Sequence, residues 1–197
     1  MRDMGKRLAQ SGYAVLVPNP FYRAGKPTAT GATPIKEMLG FRKGMSAATD
    51  MTDARAFVAW LDAQPQVNKN RKVGVQGYCM GGPMSFHTAA AVPDRIGAVA
   101  SFHGGGLVGK DPATSPHMLA AKTKASFLIA IAENDDKQAP NDKTALKTAF
   151  DAAKLQSEIE VYPAAHGWCP PDTQVYNEPA AEKAWSRLLA LYGKALA

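Results

Sequence analysis

The chain has 197 residues, 46% of them hydrophobic, with 23 Lys+Arg against 17 Asp+Glu, a net charge of +6 and two cysteines. That profile excludes a disordered, collagen-like or disulfide-stapled chain, and it suits one globular domain burying roughly 70% of its unfolded surface. No apolar run approaches the roughly 18–20 residues of a membrane span, and the start, Met1-Arg2-Asp3-Met4-Gly5, lacks a signal peptide's apolar segment, so the expected compartment is the cytoplasm. In chain order, Met1, Met4 and Leu8 fall on one helical face, Gly12 suits the helix stop, and residues 13–17 (Tyr-Ala-Val-Leu-Val) read as a buried strand closed by Pro18. The Gly/Pro/Thr-rich residues 18–34 predict a long loop. Met51, Ala54, Phe57, Val58 and Leu61 mark a helix ended by Gln64-Pro65, and residues 72–78 predict a second strand followed by a short helix over 83–91. Further strands are expected at 96–102, 125–131 and 159–162, with helices at 142–154 and 179–197. The first of these helices faces inward through Leu146, Ala149, Phe150 and Ala153, the second through Ala184, Trp185, Leu188, Leu191 and Tyr192.

Strands alternating with helices predict an α/β fold with a mostly parallel sheet covered on both faces. No repeat, linker or low-complexity tract interrupts the chain, so residues 1–197 are expected to form a single domain. Residues 1–72 carry 12 Lys/Arg and 5 Asp/Glu, whereas residues 73–197 are nearly neutral. Such a basic half is either a solvated face or a field that steers an anionic substrate. Nucleic acid is not expected as a partner, because the basic residues are not interleaved with aromatics and no nucleic-acid motif is present.

In such a sheet, reactive groups collect at the C-terminal ends of strands. Three candidates stand there. Gly77-Tyr78-Cys79-Met80-Gly81 is a Gly-x-Cys-x-Gly at a strand-to-helix junction, where small neighbours permit the sharp turn that exposes a nucleophile. The following helix N-terminus favours a thiolate and offers backbone N–H groups to an oxyanion. Glu133-Asn134-Asp135-Asp136 follows an apolar strand as an acidic turn, and His166 lies in a loop just past the last strand. Nucleophile, acid and histidine in that order match the chain order of an α/β-hydrolase triad. His103-Gly104-Gly105-Gly106 reads as a strand-end turn, because the similar oxyanion element of lipases precedes the nucleophile. Cys169 has no second ligand pair at metal-binding spacing and is expected as a thiol at the pocket edge, so no metal site is expected.

With these residues in view, the chain resembles the dienelactone hydrolase family, the cysteine-nucleophile branch of the α/β-hydrolases. The resemblance rests on residues 8–18 with Phe21-Tyr22-Arg23, on Val73-Gly-Val-Gln-Gly-Tyr-Cys-Met-Gly-Gly82, on Ala132-Glu-Asn-Asp135 and on Ala165-His-Gly-Trp168. It implies that Cys79 attacks a small ester or lactone, that His166 shuttles the proton, and that an Asp orients the imidazole. Asp135 matches the family's Gly-x-x-Asp element, with Asp136 beside it as the alternative. The Met80 N–H is the implied oxyanion donor, Arg23, Tyr78 and Trp168 the implied substrate contacts, and no cofactor is needed. Arg23 would hold a substrate carboxylate. A second family arginine falls here near Cys169-Pro170-Pro171, so a related ester or lactone is implied rather than dienelactone itself. Family members begin with further strands before the segment matched by residues 1–12, one of them lying between the strands expected at 13–17 and 72–76. The expectation is therefore a hydrolase fold lacking its N-terminal strands, with Met1 an internal methionine of a longer enzyme. The alternative is a catalytically impaired binding or regulatory module without the N-terminal oxyanion loop.

Overall fold

The computed structural model describes residues 1–24, 35–111 and 114–197, with residues 35, 38 and 39 described by their backbone alone. They form two compact units, Met1–Asn68 and Lys69–Ala197. Most of the loop expected over 18–34 lies outside the described residues.

The first unit is helical: α1 (Arg2–Gln10), a short 3-10 turn (Tyr22–Ala24), α2 (Ile35–Phe41) and α3 (Ala47–Asp62). Leu8 is buried, as the apolar stripe of α1 predicts, and Ala54 and Val58 do the same for α3. Helix α3 starts at Ser46, whose hydroxyl accepts from the Thr49 N–H while the Thr49 hydroxyl accepts from the Ser46 N–H, a capping box that satisfies donors the helix leaves open. Residues 13–17 correct an expectation. They carry no regular secondary structure and pair with no strand among the described residues, and Val17 is 46% exposed. Apolar, β-branched residues give a strand its propensity, but a strand exists only where a neighbour takes up its backbone hydrogen bonds.

The second unit is a four-stranded parallel sheet in the order β1 (Val73–Tyr78), β2 (Ile96–Phe102), β3 (Ser126–Ala132) and β4 (Ser157–Tyr162). The two inner strands are buried on both faces and read in sequence as unbroken apolar runs, whereas β1 and β4 are edges and half-buried. The order advances in one direction, so successive right-handed crossovers place α4 (Gly81–Ala91), a 3-10 segment (Pro116–Lys122) and α6 (Asp142–Ala152) on one face. Helix α7 (Glu178–Ala195) returns to the other face, against β2 and β3. Tyr192 of α7 lies over Gly74 of β1, where a Cβ would stand 2.6 Å from its ring. Under α4 and α6 the rings of Phe86, Phe127 and Phe150 stack, with the latter two centroids 4.4 Å apart. Helix α5 (Glu133–Gln138) replaces the acidic turn expected after β3.

Candidate active site

The sheet brings three of the expected residues to one end. Cys79 directly follows β1, Asp135 lies in the first turn of α5 just beyond β3, and His166 lies in the loop beyond β4. All three strands run parallel, so their C-terminal ends, and the residues just past them, share one side of the sheet.

Cys79 is held in the left-handed region, with φ 52°. Its N–H donates to the Phe102 carbonyl at 3.1 Å, so the turn is pinned to the neighbouring strand, and its own carbonyl accepts from the Gly82 N–H. Gly77 makes this turn sterically feasible: a Cβ there would stand 1.8 Å from the Gly81 carbonyl oxygen. The thiol is exposed, while the next residue, Met80, is the N-cap of α4. A thiol raised on a sharp turn ahead of a helix N-terminus is the arrangement that the Gly-x-Cys-x-Gly spacing predicts.

His166 is held on three sides. Its Nδ1 lies 2.7 Å from Asp135 Oδ2, its backbone N–H donates to the Asn134 side-chain oxygen at 2.7 Å, and its ring is hydrogen-bonded to Cys79. The Glu133 N–H donates to the Ala164 carbonyl, so the start of α5 and the histidine loop are stitched together. These contacts push the His166 imidazole up to about 9: the hydrogen bond to Cys79 does most, Asp135 adds to it, and partial burial opposes both. Of the two candidate acids, Asp135 reaches the imidazole. Asp136 is held by Lys143, whose Nζ lies 2.8 Å from both carboxylate oxygens. Asn134 was not among the expected site residues, although it lies inside the Ala-Glu-Asn-Asp run that drew attention to Asp135.

The remaining expected residues fall in different places. Tyr78 is half-buried, stacks on Phe102 at 5.1 Å, and its hydroxyl accepts from the Gln76 amide at 2.8 Å. Trp168, expected to touch substrate, is fully buried and lies flat on Tyr162, with ring centroids 4.9 Å apart. It forms a wall behind the histidine loop. Cys169, expected at the pocket edge, is also buried, because the Trp168-Cys169 pair folds under that loop. Arg23 belongs to the first unit, where its Nη2 lies 2.6 Å from an Asp53 oxygen that also accepts from the Tyr22 hydroxyl. The guanidinium holds the Asp53 carboxyl below the usual range, so much of its own charge is already matched. His103 to Gly106 forms the strand-end turn expected after β2, but the His103 ring, which the sequence left without a role, is buried against His166.

Known proteins resemble this chain in sequence and in fold. The family model described as "Dienelactone hydrolase family" matches residues 1–196. A protein of Synechocystis sp. named as a candidate carboxymethylenebutenolidase is 27% identical over 197 residues, covering 98% of this chain and 79% of its own. The carboxymethylenebutenolidase of Rhodococcus opacus is 26% identical over 199 residues, covering 99% of this chain and 75% of its own. Among solved structures, a candidate dienelactone hydrolase from Klebsiella pneumoniae superposes with a TM-score of 0.81 at 26% identity, covering 98% of this chain and 80% of its own.

Proposed function

The chain belongs to the dienelactone hydrolase family and is a carboxymethylenebutenolidase-like hydrolase; from that premise we propose that it cleaves a small, carboxylate-bearing ester or lactone through Cys79, His166 and Asp135. The observation that carries this reading is the continuous hydrogen-bonded line from the exposed thiol through the His166 ring to Asp135. The match across residues 1–196 supports treating both units as parts of one hydrolase domain.

In this mechanism His166 holds the proton of the thiol, and the Cys79 thiolate attacks the acyl carbon, so the carbonyl π pair moves onto oxygen. The Met80 N–H, at the N-cap of α4, is the donor for that oxyanion. Collapse expels the alkoxide or enolate, which takes the proton from the His166 imidazolium, and a thioester remains on Cys79. The now neutral imidazole removes a proton from water, and the hydroxide adds to the thioester. When that adduct collapses, the acid product leaves and the thiolate returns beside the imidazolium. Asp135 fixes the tautomer throughout, keeping the Nδ1 proton on its own side so that the other ring nitrogen serves Cys79.

An anionic substrate is supported by the name of the Rhodococcus opacus relative, which denotes a lactone bearing a carboxymethylene group, and by the basic residues gathered in 1–72. Cys79 and Cys169 form no disulfide among the described residues, which supports a reducing, cytoplasmic setting. With a p-nitrophenyl ester as probe, Cys79→Ala is expected to lose at least about 10³-fold in kcat/KM, because it removes the thiol that makes the proposed attack. Turnover by that variant within tenfold of the native protein contradicts the assignment.

A further inference from the structure

Directly behind His166 lies a second histidine that the proposed mechanism does not use. His103 follows β2, where its N–H donates to the Ala130 carbonyl at 2.8 Å and its φ of 40° turns the side chain out of the strand direction. Its ring is 1% exposed and meets the His166 ring at a centroid distance of 5.0 Å and an interplanar angle of 64°. Trp168 closes the other side at 5.7 Å and 73°, and Tyr78 lies at 6.2 Å. Neither ring nitrogen of His103 has a hydrogen-bond partner among the described residues.

A buried polar ring with no partner is costly, and a site that needed only bulk would be filled as well by an apolar side chain. What distinguishes this position is the neighbour: a ring that carries positive charge during the reaction. A neutral imidazole gives that charge an electron-rich π surface and no competing cation. Burial, with the His166 charge adding to it, pulls His103 down to about 4, so the ring is uncharged where His166 is charged.

We propose that His103 is a positioning residue for His166: an uncharged ring whose packing keeps the catalytic imidazole in the plane that joins Cys79 to Asp135. Asp135 fixes one end of the His166 ring and Cys79 receives the other, but two contacts along one line leave the ring free to tilt about that line. The steeply inclined ring of His103 removes this tilt. The proposal rests on the Cys79 triad reading above and adds a residue to it.

The test compares His103→Asn, which tolerates the left-handed backbone but lacks the ring, with His103→Phe, which keeps an aromatic face. With p-nitrophenyl acetate, the Asn variant is expected to lose about 10- to 100-fold in kcat with KM within about threefold of native, and the Phe variant to recover most of the loss. Alkylation of Cys79 by iodoacetamide is expected to be nearly independent of pH in the native protein and to regain the steep rise of an ordinary thiol in the Asn variant. A native-like kcat and a flat alkylation profile in His103→Asn overturn the proposal, as does a Phe variant no better than Asn. Should His103→Asn fail to fold, ¹⁵N-histidine NMR of the native protein decides. The His103 ring is expected to stay neutral between about pH 5 and 9, and uptake of a proton there overturns the proposal. Full activity in Cys79→Ala removes the triad reading and this one with it. An inactive Cys79→Ala beside a native-like His103→Asn removes only the role of His103.

Discussion

Cys79 sits in a backbone conformation that costs an ordinary L-residue about 1–2 kcal/mol, and the surrounding hydrogen bonds hold it there. The gain is access: the thiol stands clear of the sheet, within hydrogen-bonding reach of His166. Because its contacts push the imidazole up to about 9, His166 keeps its proton until the pH rises through that value, and in the proposed mechanism the sulfur is its anionic partner. A separate thiol and imidazole also hold one proton between them at about pH 7–8, so this transfer changes reactivity and leaves folding stability nearly flat with pH. Alkylation of native Cys79 by iodoacetamide is therefore expected to vary by less than about threefold between pH 6.5 and 8.5. An unpaired thiol with an ordinary pKa near 8.5 rises by well over tenfold across that interval, and such a rise contradicts the pairing.

At the scale of elements, the site depends on how closely α4 approaches β1. Gly77→Ala places a methyl group against the Gly81 carbonyl, backbone against backbone, so the first turn of α4 has to shift. Urea unfolding is expected to show a loss of about 1–3 kcal/mol, with kcat reduced by about 10²-fold through displacement of Cys79. Native-like stability together with native kcat contradicts this tight junction. Most elements of the second unit were legible in sequence, because inner parallel strands such as 96–102 and 126–132 are continuous apolar runs and α6 buries the expected Leu146 and Phe150. The strand expected at 13–17 carries the same local signal, but pairing is a property of the neighbour and leaves no mark on these five residues. Helix α5 was missed because Glu-Asn-Asp-Asp reads as a turn, and only its contacts reveal a helix start that presents Asn134 and Asp135 to the histidine loop. Trp168 was legible as a family residue, but its burial beside Tyr162 is a matter of packing that no motif encodes. Cys79 and His166 were the most legible of all, since their chemistry and their positions at strand ends point the same way.

For the whole molecule, none of the described helices is long and apolar enough to cross a membrane. The family match covers both units, and the net positive charge lies in residues 1–72, while the proposed triad lies in the nearly neutral remainder. Arg23, the expected carboxylate contact, is engaged by Asp53, so long-range attraction is the better supported role for that charge. In the proposed mechanism the acyl group passes through Cys79. The most direct test is intact-mass and peptide analysis of the protein after rapid acid quenching of a reaction with p-nitrophenyl acetate. One acetyl group per chain is expected, located on the peptide that contains Cys79 and absent from Cys79→Ala. Turnover with no acyl adduct, or with the adduct on another residue, contradicts it.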